Sequence, residues 1–261
     1  MAFILVFLGL LHLVGNFATA APSISDERFG EEKRVGWMKF PQTGEDFTEG
    51  DIKLPPGFNR GAMDFNYWSG SRWPGNTVAY TISSVFSYDE RTRIKNAIQE
   101  FESRTCLKFV ERTTQNDYIN IKKDNGCWSY VGHIGGPQDL SLGQGCLYDM
   151  GTPIHELMHA IGFFHEHNRP DRDNFVTIHW DQIYSDYQYA FYKRESYEVN
   201  SFGSPYDYGS VMHYEDWAFQ IGTLPTITSK PPGITLGQRN GFSEQDVVQI
   251  NKLYGCSSSC Y

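Results

Sequence analysis

One eleven-residue stretch of this chain, His155-Glu156-Leu157-Met158-His159-Ala160-Ile161-Gly162-Phe163-Phe164-His165, has the residue types and spacing of a metal site. On a helix, residues four apart lie about 40° from each other around the axis and one turn along. His155 and His159 can therefore present their imidazoles to one cation from one face. Glu156 stands next to the first ligand, close enough to reach a metal-bound water without ligating the metal itself. Gly162 enters a left-handed backbone conformation cheaply, so the helix can stop there and the chain can swing His165 round as a third ligand. Three neutral imidazoles favour Zn²⁺, one per chain, and leave a coordination position for water. In catalytic zinc sites the pKa of that water falls to roughly 7, and the metal polarises the scissile carbonyl. A carboxylate at the Glu156 position would take the proton and hand it to the leaving amine. A structural zinc site would instead close four ligands, usually including Cys, and no Cys lies near this segment.

The elements that must position these residues are partly readable. Val78, Tyr80 and Ile82 alternate with smaller or polar neighbours, the pattern of a half-buried strand. Ser87 to Ser103 reads as a helix, because Ile94, Ala97, Ile98 and Phe101 share one face. Leu107-Lys108-Phe109-Val110 and Tyr118-Ile119-Asn120-Ile121 are further strand candidates. Near the end, Ser243 and Asp246 form a capping-box-like helix start; Val247, Ile250 and Tyr254 line one face, and Gly255 can terminate it. From about 195 to 240 the chain is rich in Gly, Pro and Ser and is expected to be irregular. No internal repeat and no second domain are visible. The class is α+β, with strands concentrated before the central motif.

The 261-residue chain is 40% hydrophobic and 20% charged, which suits one sizeable globular domain and argues against wholesale disorder. Its formal charge of −9, with no Lys/Arg-rich run, argues against a nucleic-acid or anionic-membrane partner. Residues 1–20 read as a signal peptide: Phe3 to Val14 is nearly unbroken apolar sequence, and Ala18-Thr19-Ala20 supplies a small-x-small cleavage site. The run is short for a bilayer and no other apolar span follows, so export is favoured over a membrane anchor. The expectation is a secreted, extracellular protein with no membrane association after signal removal. Export places the five cysteines, Cys106, Cys127, Cys146, Cys256 and Cys260, in an oxidising compartment. Their odd number leaves at least one thiol unpaired or pairing between chains, and spacing alone does not give the connectivity. From Ala21 to about Arg60 the sequence is rich in charge, Gly and Pro, and looks like a separable leader.

After the third histidine the chain continues as His165-Glu166-His167-Asn168-Arg169-Pro170-Asp171-Arg172-Asp173. Further on, Ser210-Val211-Met212-His213-Tyr214 has the form of a Met-turn, and the two together carry the metzincin signature. With Cys127-Trp128-Ser129-Tyr130-Val131-Gly132 and Gly237-Gln238-Arg239, the chain resembles the astacin family of zinc metalloendopeptidases over nearly everything from Trp68 to Cys256. Within that family it is most similar to fish hatching-enzyme-like members. The resemblance implies a two-lobed, zincin-like catalytic domain. Its upper lobe is twisted and mostly β, with two long helices, and its lower lobe is irregular with a C-terminal helix. The resemblance also implies that Met212 lies under the zinc as a hydrophobic floor. Tyr214 would be a weak further ligand that swings away to hydrogen-bond the oxyanion. Glu166 would pair through water with the mature N-terminus. The implied disulfides are Cys106–Cys256 and Cys127–Cys146, which leaves Cys260 without a partner. With three ligands assigned, His133, His167, His179 and His213 are read as structural or exposed.

In the leader, Phe47-Thr48-Glu49-Gly50-Asp51-Ile52 resembles the astacin propeptide switch, in which the Asp51 carboxylate takes the zinc position that water needs. The aromatic residue usual two places before the Gly is replaced by Thr48, with Phe47 one place earlier. Cleavage is expected after Arg60, since Gly61-Ala62-Met63 resembles the start of mature hatching enzymes. The expected organisation is therefore a signal peptide (1–20), an inhibitory propeptide (21–60) and a catalytic domain (61–261). The expected function is hydrolysis of internal peptide bonds in extracellular proteins, with egg-envelope or matrix proteins as candidate substrates. The enzyme would be made as a zymogen, released by an activating protease, and would act as a monomer on an extended peptide laid along an edge strand. A catalytically silent binding protein on the same scaffold is the competing class; loss of Glu156 or a histidine would favour it, and all are present. A structural matrix protein would need repeats or low-complexity tracts, and none is visible.

Overall fold

Ser87 caps the first helix, where the apolar stripe of 87–103 predicts one, in a computed structural model of the chain that describes residues 47–55 and 72–257. The expected signal peptide, the cleavage point after Arg60, the mature start at Gly61-Ala62-Met63 and Cys260 lie outside the described residues. The Ser87 hydroxyl accepts from the Glu90 amide while the Glu90 carboxylate accepts from the Ser87 amide, which satisfies two donors a helix start leaves open. The resulting helix, α1 (Tyr88–Arg104), buries Ile94, Ala97, Ile98 and Phe101 as one stripe.

That stripe packs on a seven-stranded sheet. Its strands are β1 (Phe47–Thr48), β2 (Ile52–Lys53), β3 (Thr77–Ile82), β4 (Lys108–Glu111), β5 (Tyr118–Lys122), β6 (Cys127–Tyr130) and β7 (Pro137–Leu142), in the order β1-β2-β6-β7-β5-β3-β4. Strands β3, β4, β5 and β7 run parallel, and β6 lies antiparallel on β7. In β3, Val78 and Tyr80 are buried as expected; Ala79 between them is buried too, because β3 is flanked by β4 on one side and β5 on the other. Strand β2 covers the outer edge of β6. Ile52 of β2 stands opposite Ser129, Lys53 stands opposite Tyr130, and β1 turns back antiparallel on β2.

Two of the three apolar clusters among the described residues correspond to two lobes; the third is Phe47 with Trp128 and Tyr130. The larger lies between the sheet, α1 and the wholly buried ten-residue helix α2 (Gly151–Ala160), and extends to Val211, Met212 and Ile250. The smaller gathers Val176, Ile183, Phe191, Tyr206, Tyr214, Phe219 and Ile227 from the chain beyond Gly162. Its regular structure consists of short 3-10 helices, the bridge Ile183–Gln220 and one ladder, β8 (Val176–Ile178) with β9 (Ile227–Ser229). The stretch 195–240 is irregular apart from β9. The last helix, α3 (Glu244–Tyr254), begins at the Ser243–Asp246 capping box and ends at Gly255 in the left-handed conformation. Both implied disulfides are present, Cys106–Cys256 and Cys127–Cys146.

Candidate metal centre

Helix α2 is held at both ends by partners that lie outside it. At its start the Thr152 amide donates to Asp149 Oδ1 (2.7 Å) and the Gly151 amide to the Arg239 carbonyl (2.8 Å). At its end, carbonyls that a helix leaves without partners are taken up from outside: the Gly132 amide donates to His159 O, the Trp73 indole to Ala160 O, and the Tyr254 hydroxyl to Ile161 O. Gly162 then adopts φ 118°, and the chain leaves the helix axis in time to bring His165 back beside the first two histidines.

His155, His159 and His165 converge through their Nε2 atoms. His155 Nε2 lies 3.1 Å from that of His159 and 3.2 Å from that of His165. Each opposite ring nitrogen faces an acceptor: Val211 O for His155 Nδ1 (2.8 Å), Phe163 O for His159 Nδ1 (2.6 Å) and Glu49 Oε2 for His165 Nδ1 (2.8 Å). Those acceptors place the proton on Nδ1 of each neutral ring and leave a lone pair on each Nε2. Three lone pairs aimed at one another repel unless a cation sits among them. A zinc ion with nitrogens at about 2.0–2.1 Å sets tetrahedral ligands about 3.3 Å apart, close to the spacing here. The three rings are buried, and Asp51 joins them as a fourth group, with all four ligand atoms within 4.8 Å of one another. The residues fit zinc.

Asp51 comes from the turn between β1 and β2. Its Oδ2 lies 3.2 Å from His155 Nε2, and its Oδ1 lies 3.3 Å from His165 Nε2 and 3.6 Å from His159 Nε2. Burial alone would raise the Asp51 carboxyl, but the charge of His165 and the close approach of the three histidines hold it well below the ordinary carboxylate range. Glu49, two residues earlier, is also buried; its Oε2 accepts from the His165 amide (3.2 Å) as well as the ring, and its Oε1 accepts from Arg194. Burial opposes the Glu49 charge as well, yet Arg194 and His165 bring its pKa down to about 2. Two buried carboxylates so close favour a positive charge at this point. Against burial, which would lower it, they push His165 up to about 9 when that charge is a proton.

Glu156 stands on α2 between the first two ligands in sequence, buried, and its Oε2 has no hydrogen-bond partner among the described residues. Burial, then the nearby Asp51 charge, push its carboxyl well above the usual range. Tyr214 is buried with its ring 4.6 Å from that of His165, and its hydroxyl donates to the Glu49 carbonyl oxygen. Met212 is buried in the larger core, and its carbonyl accepts from the Glu166 amide (3.0 Å). Glu166 Oε1 accepts from Arg169 (3.0 Å) and from the Asp207 amide (2.8 Å); burial raises its pKa to about 7. The other histidines among the described residues lie outside the cluster. His133 pairs with Asp117, His179 with Thr228 and His213 with Tyr206, while His167 stacks on Tyr214. Sequence reasoning passed over Glu49 and Arg194. A Glu before Gly-Asp reads as a solvated turn charge, and its only other signal is proximity to Asp51.

These observations agree with comparisons to known proteins. The model of the Astacin peptidase family matches residues 66–255. The zinc metalloproteinase nas-15 of Caenorhabditis elegans is 47% identical over 185 residues, spanning 70% of this chain and 32% of that protein. High choriolytic enzyme 2 of Oryzias latipes is 41% identical over 221 residues, 82% of this chain and 77% of that protein. Among solved structures, high choriolytic enzyme 1 of the same fish, a hatching enzyme zinc-protease, superposes with a TM-score of 0.67 at 41% identity, covering 71% of this chain and 94% of that one. The chain spans only 32%, 41% and 45% of the length of three zinc metalloproteinases it matches. On a fold, a buried histidine site and a match that all agree, the chain belongs to the astacin family of peptidases, and its domain is a zinc metalloendopeptidase domain.

Proposed function

We propose that the protein is a secreted endopeptidase, synthesised as an inactive precursor, that cuts internal peptide bonds of extracellular proteins. One observation carries this reading: three buried Nε2 lone pairs converge beside an unpartnered carboxylate oxygen of Glu156, with a leader carboxylate seated among them. His155, His159 and His165 hold the zinc. The bound metal supplies a Lewis acid that polarises the scissile carbonyl and makes water a nucleophile near neutral pH. Glu156 accepts the proton from the attacking water and delivers it to the leaving amine. Its buried setting raises its proton affinity toward the range in which one group can do both. Tyr214, whose hydroxyl is a donor beside His165, turns to the developing oxyanion once the leader is gone. Met212 supports the site from the core.

Substrate binds extended along β6, adding main-chain hydrogen bonds to a sheet edge that β2 covers in the precursor. Asp51 keeps the precursor silent by holding the position that water and the substrate carbonyl need. An activating protease cutting after Arg60 removes the leader, and Glu166 then receives the new N-terminus. The mature enzyme acts as a monomer. Hatching-envelope or matrix proteins are the substrate class we favour, from the likeness to high choriolytic enzymes. The test is Glu156→Gln in the activated enzyme. It is expected to retain zinc and to lose roughly 10²–10⁴-fold in peptidase turnover. Turnover like that of the unmodified enzyme would remove Glu156 from the reaction.

A further inference from the structure

The three histidines differ in what holds their outer nitrogens. His155 and His159 donate from Nδ1 to neutral backbone carbonyls, Val211 O and Phe163 O, that belong to the catalytic domain. His165 donates from Nδ1 to a carboxylate, Glu49 Oε2 at 2.8 Å, and that carboxylate belongs to the leader. No other hydrogen bond reaches His165 Nδ1 among the described residues. A carboxylate behind a metal-bound imidazole fixes its tautomer and raises its basicity, and loss of such a partner typically weakens metal binding.

The placement of Glu49 is specific. The backbone there has φ 47°, a region non-glycine residues seldom occupy, so a plain turn gains nothing from Glu. Its two carboxylate oxygens are divided between two partners. Arg194 binds Oε1, which leaves Oε2 aimed at the amide and the ring of His165. Arg194 is itself fixed: its guanidinium lies 4.2 Å from the Phe164 ring centre and its amide donates to Asn168 O at 2.7 Å.

We propose that the leader builds the zinc site as well as closing it: Glu49 is a positioning residue for His165, and the precursor holds zinc more tightly than the enzyme from which the leader has been cut. The leader would thus act in metal loading, before its inhibitory role matters. This inference rests on the assignment of the three histidines as ligands and of residues 21–60 as a removable segment.

The experiment measures zinc affinity by competition with a chromophoric chelator, for the full-length precursor and for the cleaved enzyme after the leader is separated from it. The unmodified precursor is expected to bind zinc more tightly than its cleaved form; equal affinities would overturn the proposal without any variant. Glu49→Gln in the precursor is expected to weaken zinc binding by roughly 10- to 100-fold. The difference should vanish after cleavage, because the substituted residue leaves with the leader. An unchanged affinity in that precursor overturns the proposal. A defect that survives cleavage also overturns it, since the effect would then lie in the domain's folding. His165→Ala separates the layers: if that precursor binds zinc as the unmodified one does, the ligand assignment itself falls. If it loses zinc while Glu49→Gln does not, only the role of Glu49 falls.

Discussion

Three imidazoles four and six residues apart are a strong sequence signal because the spacing is dictated by helix geometry, and they meet within about 3 Å. The zinc site was legible for that reason. Asp51 was legible only through resemblance, since a Gly-Asp pair by itself is a turn. Glu49 was not legible at all: nothing in a sequence marks one acidic side chain as the partner of a ring more than a hundred residues away. The contacts of Asp51 define a prediction at this scale. Its charge-assisted contacts to the histidines are worth roughly 1.5–3 kcal/mol, so Asp51→Ala should let the leader open about 10- to 150-fold more often. The uncleaved variant precursor is expected to hydrolyse a fluorogenic peptide while its leader remains attached, as verified by mass spectrometry. Silence of that intact precursor would show that Asp51 is not what blocks the site. Activity appearing only together with cleaved product would count against the switch in the same way.

Elements read well where a periodic face or a cap wrote them, and poorly where the partner strand alone made them. Helix α1 declares itself through its buried stripe, and α3 through both Ser243 and its stripe. Strands β1, β2, β8 and β9 have two or three residues each, too short for any alternation to register, and they exist because a neighbouring edge offers backbone partners. The β1–β2 hairpin is the clearest case. Between β1 and β2 the chain turns through Glu49, Gly50 and Asp51, and Gly50 has φ 82°. A Cβ on Gly50 would stand 2.9 Å from both the Tyr214 hydroxyl and Phe219 Cζ, so only glycine lets the turn enter the site. Gly50→Ala should therefore cost about 1–3 kcal/mol in leader docking. A synthetic leader peptide carrying that change is expected to inhibit the activated enzyme roughly 5- to 150-fold more weakly than the unmodified peptide. Equal inhibition constants would mean that the hairpin docks in another way.

Across the whole molecule, the two lobes are tied to the metal site through the last helix. Asp246 in the α3 capping box accepts from the Ser210 hydroxyl and the Val211 amide, and the Val211 carbonyl in turn accepts from His155. Tyr254 at the other end of α3 caps the carbonyl of Ile161, just beyond the zinc helix. Helix α3 is fastened in place by Cys256, whose amide donates to Asn251 O and whose sulfur is bonded to Cys106 beyond the end of α1. That bond joins residues 150 apart, whereas Cys127–Cys146 joins residues 19 apart. In the loop-entropy model the longer closure restricts the unfolded chain by about 5 kcal/mol and the shorter by about 3 kcal/mol, both upper bounds. Replacing Cys106 and Cys256 together by Ser should therefore lower the unfolding free energy more than replacing Cys127 and Cys146, as measured by urea denaturation with saturating zinc. The first pair also anchors the helix that orients Val211, so its loss should weaken zinc retention against a chelator. The second pair sits at the far end of β6 from Gly132, whose amide reaches His159 O, so its loss should weaken zinc retention less. If the short-loop pair proves the more costly, or if zinc retention is indifferent to the long-loop bond, then α3 does not transmit the molecule's closure to His155, and the metal site is supported locally instead.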